Sequence, residues 1–180
     1  MSLKGTEKQG KGPIIACCDN SRSMAGDREI WSKAVILALL EIATMQKRAF
    51  VCMHFGGRLD ELKVIEVAIG DKNILTKAVE IAEFFLDSDG TAFEPAQKKA
   101  AETVASQAYQ KADVVFITEG QAPLAQKSLA DFLDLKRKRE FRVFGVPIQS
   151  RDTSTLKELR DEIIQVYELI DAEAEQLLEI

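Results

Sequence analysis

One short segment combines oxygen-bearing side chains at a spacing that could do chemistry. Asp19-Asn20-Ser21-Arg22-Ser23-Met24 carries one carboxylate and two hydroxyls at alternate positions. On a tight loop these three converge on a hard cation. Mg²⁺ takes oxygen ligands in an octahedron and keeps several waters, so short oxygen side chains suit it better than any softer metal. Asp and Ser also form turns and cap helices, and the plain alternative is that Asp19 and Ser21 only cap the helix that follows. Two further segments offer similar groups. Asp87-Ser88-Asp89-Gly90-Thr91-Ala92-Phe93 provides Thr91, and the run Val114 to Thr118 ends in Glu119-Gly120-Gln121, with a carboxylate at its carboxyl end.

The elements that must position these groups follow from the hydrophobic pattern. Ile14 to Cys18 is a short, nearly continuous apolar run, suited to a strand buried on both faces. Arg28 to Lys47 places Trp31, Ala34, Val35, Ala38, Leu39, Ile42 and Met45 at spacings of three and four, which predicts a long helix. A second strand is expected over Ala49 to Phe55. Gly56-Gly57 then turns the chain into a hairpin partner at Leu62 to Ile69. Helices are expected at Asn73 to Leu86, Glu94 to Gln110, Leu124 to Arg139 and Ser154 to Arg160. Strands are expected at Asp113 to Thr118, Phe141 to Val146 and Ile163 to Tyr167, before an acidic helical tail at Ala172 to Leu178.

This alternation predicts an α/β fold: a doubly wound, six-stranded sheet, mostly parallel with one antiparallel edge strand, and helices on both faces. In such sheets ligands bind at the carboxyl ends of the strands, beside the topological switch point. The loops after Cys18, Phe55, Thr118 and Val146 are therefore where function is expected. Residues 1–12 are polar, contain three glycines, and read as a flexible lead-in with the look of a cloning scar and linker. Residues 13–180 read as one domain.

Composition excludes several classes. With 180 residues, 46% hydrophobic and 29% charged, the chain is globular and long enough for one core. A net charge of −5 argues against a nucleic-acid module that works by phosphate neutralisation. No apolar run approaches the ~20 residues of a membrane span. Cys17, Cys18 and Cys52 lie in apolar stretches and read as buried thiols of a cytoplasmic protein. Cys17 and Cys18 are adjacent on a strand, point to opposite faces, and cannot clamp one metal together. His54 is the only histidine and is expected to be packed or hydrogen-bonded, so no Ser/His/Asp arrangement can be assembled around it. Gly5-x-x-x-x-Gly10-Lys11 is a near miss of a phosphate loop, with no strand before it. Lys136-Arg137-Lys138-Arg139 suits a helix end.

A strand followed by Asp-x-Ser-x-Ser, then Gly-Thr, then a strand ending in Thr-acid-Gly resembles the von Willebrand factor A (vWA) domain. There the three segments form the metal-ion-dependent adhesion site, MIDAS. The likeness runs from Pro13 onward in motif order. Gly12-Pro13, the Asp-x-Ser-x-Ser-Met loop and Gly-Thr-x-Phe are similar to the bacterial CoxE-like and ViaA-like branch, which accompanies MoxR-type AAA+ ATPases. In that branch the domain forms the C-terminal part of a longer chain. The resemblance implies that Ser21 and Ser23 ligate Mg²⁺ (or Mn²⁺) directly, and Thr91 directly or through water. Asp19 and Glu119 would hold coordinating waters. It further implies a partner protein whose Asp or Glu carboxylate completes the octahedron, an AAA+ ATPase or its client.

Two departures bear on this. Arg22 stands where the family usually has glycine, and its guanidinium could compete with the metal or reach for the incoming carboxylate. Glu119 replaces the usual aspartate, while Asp89 adds negative charge nearby. The expectation is a binding module rather than an enzyme. The rival is a Mg²⁺-dependent phosphoryl-transfer hydrolase of haloacid dehalogenase type, which also starts from a strand-end aspartate. That class needs a second acid two residues later, where this chain has Ser21, and Val146-Pro147-Ile148 supplies no late acidic pair.

Overall fold

The computed structural model describes residues 12–86, 89–106, 109–119, 125–151, 153–159, 161–165 and 180. The six strands are β1 (Ile14–Asp19), β2 (Phe50–Phe55), β3 (Leu62–Val67), β4 (Asp113–Thr118), β5 (Arg142–Pro147) and β6 (Glu162–Ile163). They form one sheet in the order β3-β2-β1-β4-β5-β6. Among the described residues only the β2–β3 pairing is antiparallel, and β3 lies at an edge of the sheet. The other pairings are parallel.

The helices are α1 (Asp27–Met45), α2 (Ile74–Glu83), α3 (Phe93–Ala105), α4 (Gln126–Arg139) and α5 (Ser154–Leu159). Period-two alternation along β1 divides the core into two layers. Ile14, Ala16 and Cys18 join Val35, Leu39 and Ile81 of α1 and α2 on one face. Ile15 and Cys17 join Ala96, Ala100, Phe132 and Leu156 of α3, α4 and α5 on the other. Cys17 and Cys18 thus do point to opposite faces, and all three cysteines are free, buried thiols.

Several element ends differ from expectation. α2 stops at Glu83 rather than Leu86, because Phe84 turns to extended backbone (ψ 129°) and stacks on His54 with ring centroids 4.7 Å apart. α3 ends at Ala105 rather than Gln110. The Ser106 hydroxyl bonds back to the Thr103 carbonyl at 2.8 Å and its backbone is extended. The last strand begins one residue early, at Glu162, and stops at Ile163, with Ile164 and Gln165 already outside it. The expected stretch past Gln165, the acidic tail to Glu179, residues 1–11 with the phosphate-loop near miss, and Asp87, Ser88 and Gly120 to Leu124 lie outside the described residues.

The amino-terminal edge of the sheet is tied by charge. Asp113, at the start of β4, accepts from Arg142 Nε at 2.7 Å and Nη2 at 2.9 Å, and from Arg48. The carbonyl of Ile180 accepts from both arginines, at 3.1 and 3.0 Å. Burial pulls the Arg48 guanidinium below its usual range, and the Asp113 carboxylate opposes that shift.

Candidate functional site

In strand order β1 has β2 on one side and β4 on the other, so its carboxyl end lies at the switch point. Asp19 is the last residue of β1 and is fully buried. Its Oδ1 accepts the Ser21 backbone N–H at 2.9 Å, and its Oδ2 accepts the Thr118 hydroxyl at 2.7 Å. One carboxylate therefore shapes the β1 loop and ties it to the end of β4. Burial raises the Asp19 pKa, while the bonds from Ser21 and Thr118 oppose the rise.

Above Asp19 the three hydroxyls meet. Ser21 Oγ lies 2.9 Å from Ser23 Oγ and 3.1 Å from Thr91 Oγ1. Ser21 is buried, whereas Ser23 is exposed and Thr91 half-buried, so the cluster opens toward solvent. A one-turn 3-10 segment, Arg22–Met24, returns the chain so that Ser21 and Ser23 face each other, with Met24 buried as its anchor. The capping alternative does not describe this geometry. Ser21 precedes the 3-10 turn without a side-chain cap bond, and the residue before α1 is Gly26 (φ 83°).

Thr91 reaches the cluster through a close backbone approach. A Cβ on Gly57 would lie 1.7 Å from the Asp89 carbonyl oxygen, so only glycine lets the two loops touch. The Ala92 N–H donates to the Gly56 carbonyl at 2.8 Å and fixes the contact. The glycine pair thus serves the site as well as the hairpin.

The spacing and donor set fit a small hard cation. With Mg–O near 2.1 Å, adjacent ligands of an octahedron stand about 3.0 Å apart; Ca–O distances would require about 3.3–3.7 Å. The two oxygen separations, which here are hydrogen-bond distances between the hydroxyls, are compatible with the smaller ion. Among the described residues there is no group of three His, Cys, Asp or Glu side chains suited to a metal.

Every candidate residue comes to this rim, though in different company. Glu119 is nearly buried at the end of β4, and Arg28, in the first turn of α1, donates to its Oε2. The same guanidinium nitrogen donates to the Ser23 carbonyl at 3.1 Å. Arg22 and Asp89 pair with each other at 3.1 Å on the exposed surface. Arg28 was not singled out from the sequence; a cation one turn after the Asp-x-Ser-x-Ser loop was the available signal.

Asn20 and His54 form a supporting layer. The Asn20 amide donates to His54 Nδ1, and His54 Nε2 faces Cys52 Sγ at 3.3 Å. Burial pulls the His54 pKa down to about 4, so the ring is neutral and accepts at Nδ1. The histidine is packed and hydrogen-bonded, as expected.

No known protein-family profile matches the chain. It is similar to two proteins of Methanocaldococcus jannaschii. It is 34% identical to the uncharacterized protein MJ0811 over 172 residues, 95% of this chain and 38% of that protein. It is 27% identical to the uncharacterized protein MJ0077 over 169 residues, 94% of this chain and 41% of that protein. The chain therefore spans about two fifths of the curated relatives it matches. These relatives come from that organism, whereas the motif resemblance pointed to a bacterial branch.

Among solved structures, the conserved hypothetical protein BatB from Bacteroides thetaiotaomicron superposes with a TM-score of 0.70 at 12% identity, over 93% of this chain and 96% of that one. The SpRpn10 VWA domain gives 0.68 at 13% identity, over 92% and 95%. A von Willebrand factor type A protein from Catenulispora acidiphila gives 0.66 at 18% identity, over 94% and 42%. At these identities the likeness establishes the fold, which is that of a vWA domain.

Proposed function

We propose that this chain is a metal-assisted protein-binding module of MIDAS type. Ser21 and Ser23 hold Mg²⁺ or Mn²⁺ directly, Thr91 directly or through water, and Asp19 and Glu119 hold coordinating waters. The observation that carries the reading is the hydroxyl trio at 2.9 and 3.1 Å, standing over a buried carboxylate at the sheet's switch point. Bound there, the cation supplies an electrophilic position for one more anionic oxygen. Hydroxyls are neutral and leave the ion short of negative charge, so an Asp or Glu of a partner protein completes the shell. Arg22 stands at the same rim and can add a charge-assisted bond to that carboxylate.

Both oxygens of Asp19 are engaged by Ser21 and Thr118, an arrangement for holding a loop rather than for attacking a substrate. The module is thus read as non-catalytic. By motif resemblance the partner is a MoxR-type AAA+ ATPase or its client, with this chain as adaptor or co-chaperone. No helix among the described residues is long and apolar enough to cross a membrane. The free thiols are in keeping with a cytoplasmic site of action.

The test uses the full chain as bait in a native lysate, with divalent metal or with EDTA. An AAA+ ATPase is expected to be retained only with metal, and to be lost by a Ser21→Ala/Ser23→Ala variant that still folds. Equal retention in EDTA and by the double variant would place binding on another face. Metal-dependent turnover of a generic phosphate ester, abolished by Asp19→Asn, would replace binding with catalysis.

A further inference from the structure

We infer that Arg28 sets the selectivity of this site. It weakens the bare site for a divalent cation and makes the loaded site favour an anionic group, so that metal and carboxylate bind cooperatively. The inference rests on the metal-assisted reading and adds the regulation of that same site.

The geometry singles out Arg28 among the nearby cations. Its guanidinium is held at two points, by the Ser23 carbonyl at 3.1 Å and by Glu119 Oε2. Those points lie on two different segments, the β1 loop and the end of β4, that carry the candidate ligands. Its side chain is 36% exposed and that of Glu119 only 11%, so the pair is partly withdrawn from solvent. The Arg22–Asp89 pair differs. Its side chains are 61% and 81% exposed, it cancels its own charge, and salt screens it.

Charge then decides what the site takes. Asp19 and Glu119 are two carboxylates, Arg28 is one guanidinium, and the three candidate ligands are neutral hydroxyls. The rim is therefore one unit negative before a divalent ion enters and one unit positive after. Without Arg28 it would pass from two negative charges to neutrality. The first sequence disfavours the bare cation and rewards an incoming carboxylate; the second does the reverse. Arg28 is fixed beside the hydroxyls by the fold, so the effect is present before any ligand arrives.

Mn²⁺ alone, followed by its free electron-paramagnetic-resonance signal, is the first probe, and acetate at constant ionic strength is the second. In the full chain, Arg28→Gln is expected to bind Mn²⁺ about five- to tenfold more tightly than the unsubstituted protein. It should also lose the enhancement of Mn²⁺ binding by acetate. Arg28→Lys should keep both properties, since it keeps the charge. If Arg28→Gln does not fold, Arg28→Met removes the same charge on a similar stem and should give the same tighter Mn²⁺ binding and the same loss of the acetate effect. Unchanged Mn²⁺ affinity in whichever of the two folds overturns the role of Arg28 and leaves the metal site standing. Failure of the unsubstituted protein to bind Mn²⁺, or binding indifferent to Ser21→Ala/Ser23→Ala, overturns both.

Discussion

Protonating His54 should destabilise this domain from the inside. The ring is fully buried between Asn20, Cys52 and Phe84, and its pKa falls from an ordinary 6.5 to about 4. Desolvation is the main cause; Lys33 and Lys63 push the same way and Glu80 opposes them. A folded-state pKa below the unfolded value means that the neutral ring stabilises the fold above pH 6.5. That contribution is lost as the pH falls toward 4, where the unfolded chain binds the proton and the native state resists it. At ~1.4 kcal/mol per pH unit the loss reaches about 2 kcal/mol at pH 5 and about 3 kcal/mol below pH 4. That is a large share of the roughly 5–15 kcal/mol of a typical domain. Urea unfolding followed through Trp31, from pH 7.5 to pH 4, measures the slope. His54→Asn keeps an acceptor for Asn20 but cannot take the proton, so its stability should be flatter over this window, whatever its absolute value. Parallel curves for the two proteins would refute the reasoning.

Three further outcomes follow from the geometry. Asp113→Asn leaves Arg48 buried beside a neutral amide; a loss of about 3 kcal/mol is expected by denaturant unfolding, since removing one partner of a buried pair strands the other. Gly57→Ala drives a methyl group into the Asp89 carbonyl, so the loop carrying Thr91 must move. Stability should fall by roughly 1–3 kcal/mol, and Mn²⁺ binding should weaken with it. Ser21→Ala/Ser23→Ala removes hydroxyls that bond to one another, to Thr91 and, from Ser21, to the Asp19 carboxylate. Thermal unfolding should shift by no more than about 1 kcal/mol while Mn²⁺ binding is lost.

The buried strands were legible because each is a short apolar run closed by polar punctuation, as in Ile14 to Cys18 and Asp113 to Thr118. The antiparallel edge was legible because the connection from Phe55 to Leu62 is too short for a crossover to a parallel strand. The rim was legible as far as residue type and motif order reach: Asp19, Ser21, Ser23, Thr91 and Glu119 do converge on one end of the sheet. What local pattern could not carry was long-range pairing. Arg28 meets Glu119 across 91 positions and Asn20 meets His54 across 34, and nothing in either neighbourhood announces the other. Helix ends were misplaced for a similar reason. Phe84 would continue α2 by periodicity, but its backbone is extended and its ring lies against His54, outside any local pattern.

The alternation along β1 has a consequence for solvent access. Cys17 belongs to the layer under α3, α4 and α5, while Cys18 and Cys52 belong to the layer under α1 and α2. Burial pushes the Cys18 thiol up to about 12, and raises Cys17 and Cys52 as well, so none is reactive while its layer is closed. A thiol reagent can reach each sulfur only when the helices above it lift. The order in which the three are modified is thus a built-in clock for which half of the molecule breathes first. Asp19, beneath the hydroxyl rim, sits on the strand that both halves share, so the rim feels the opening of either one.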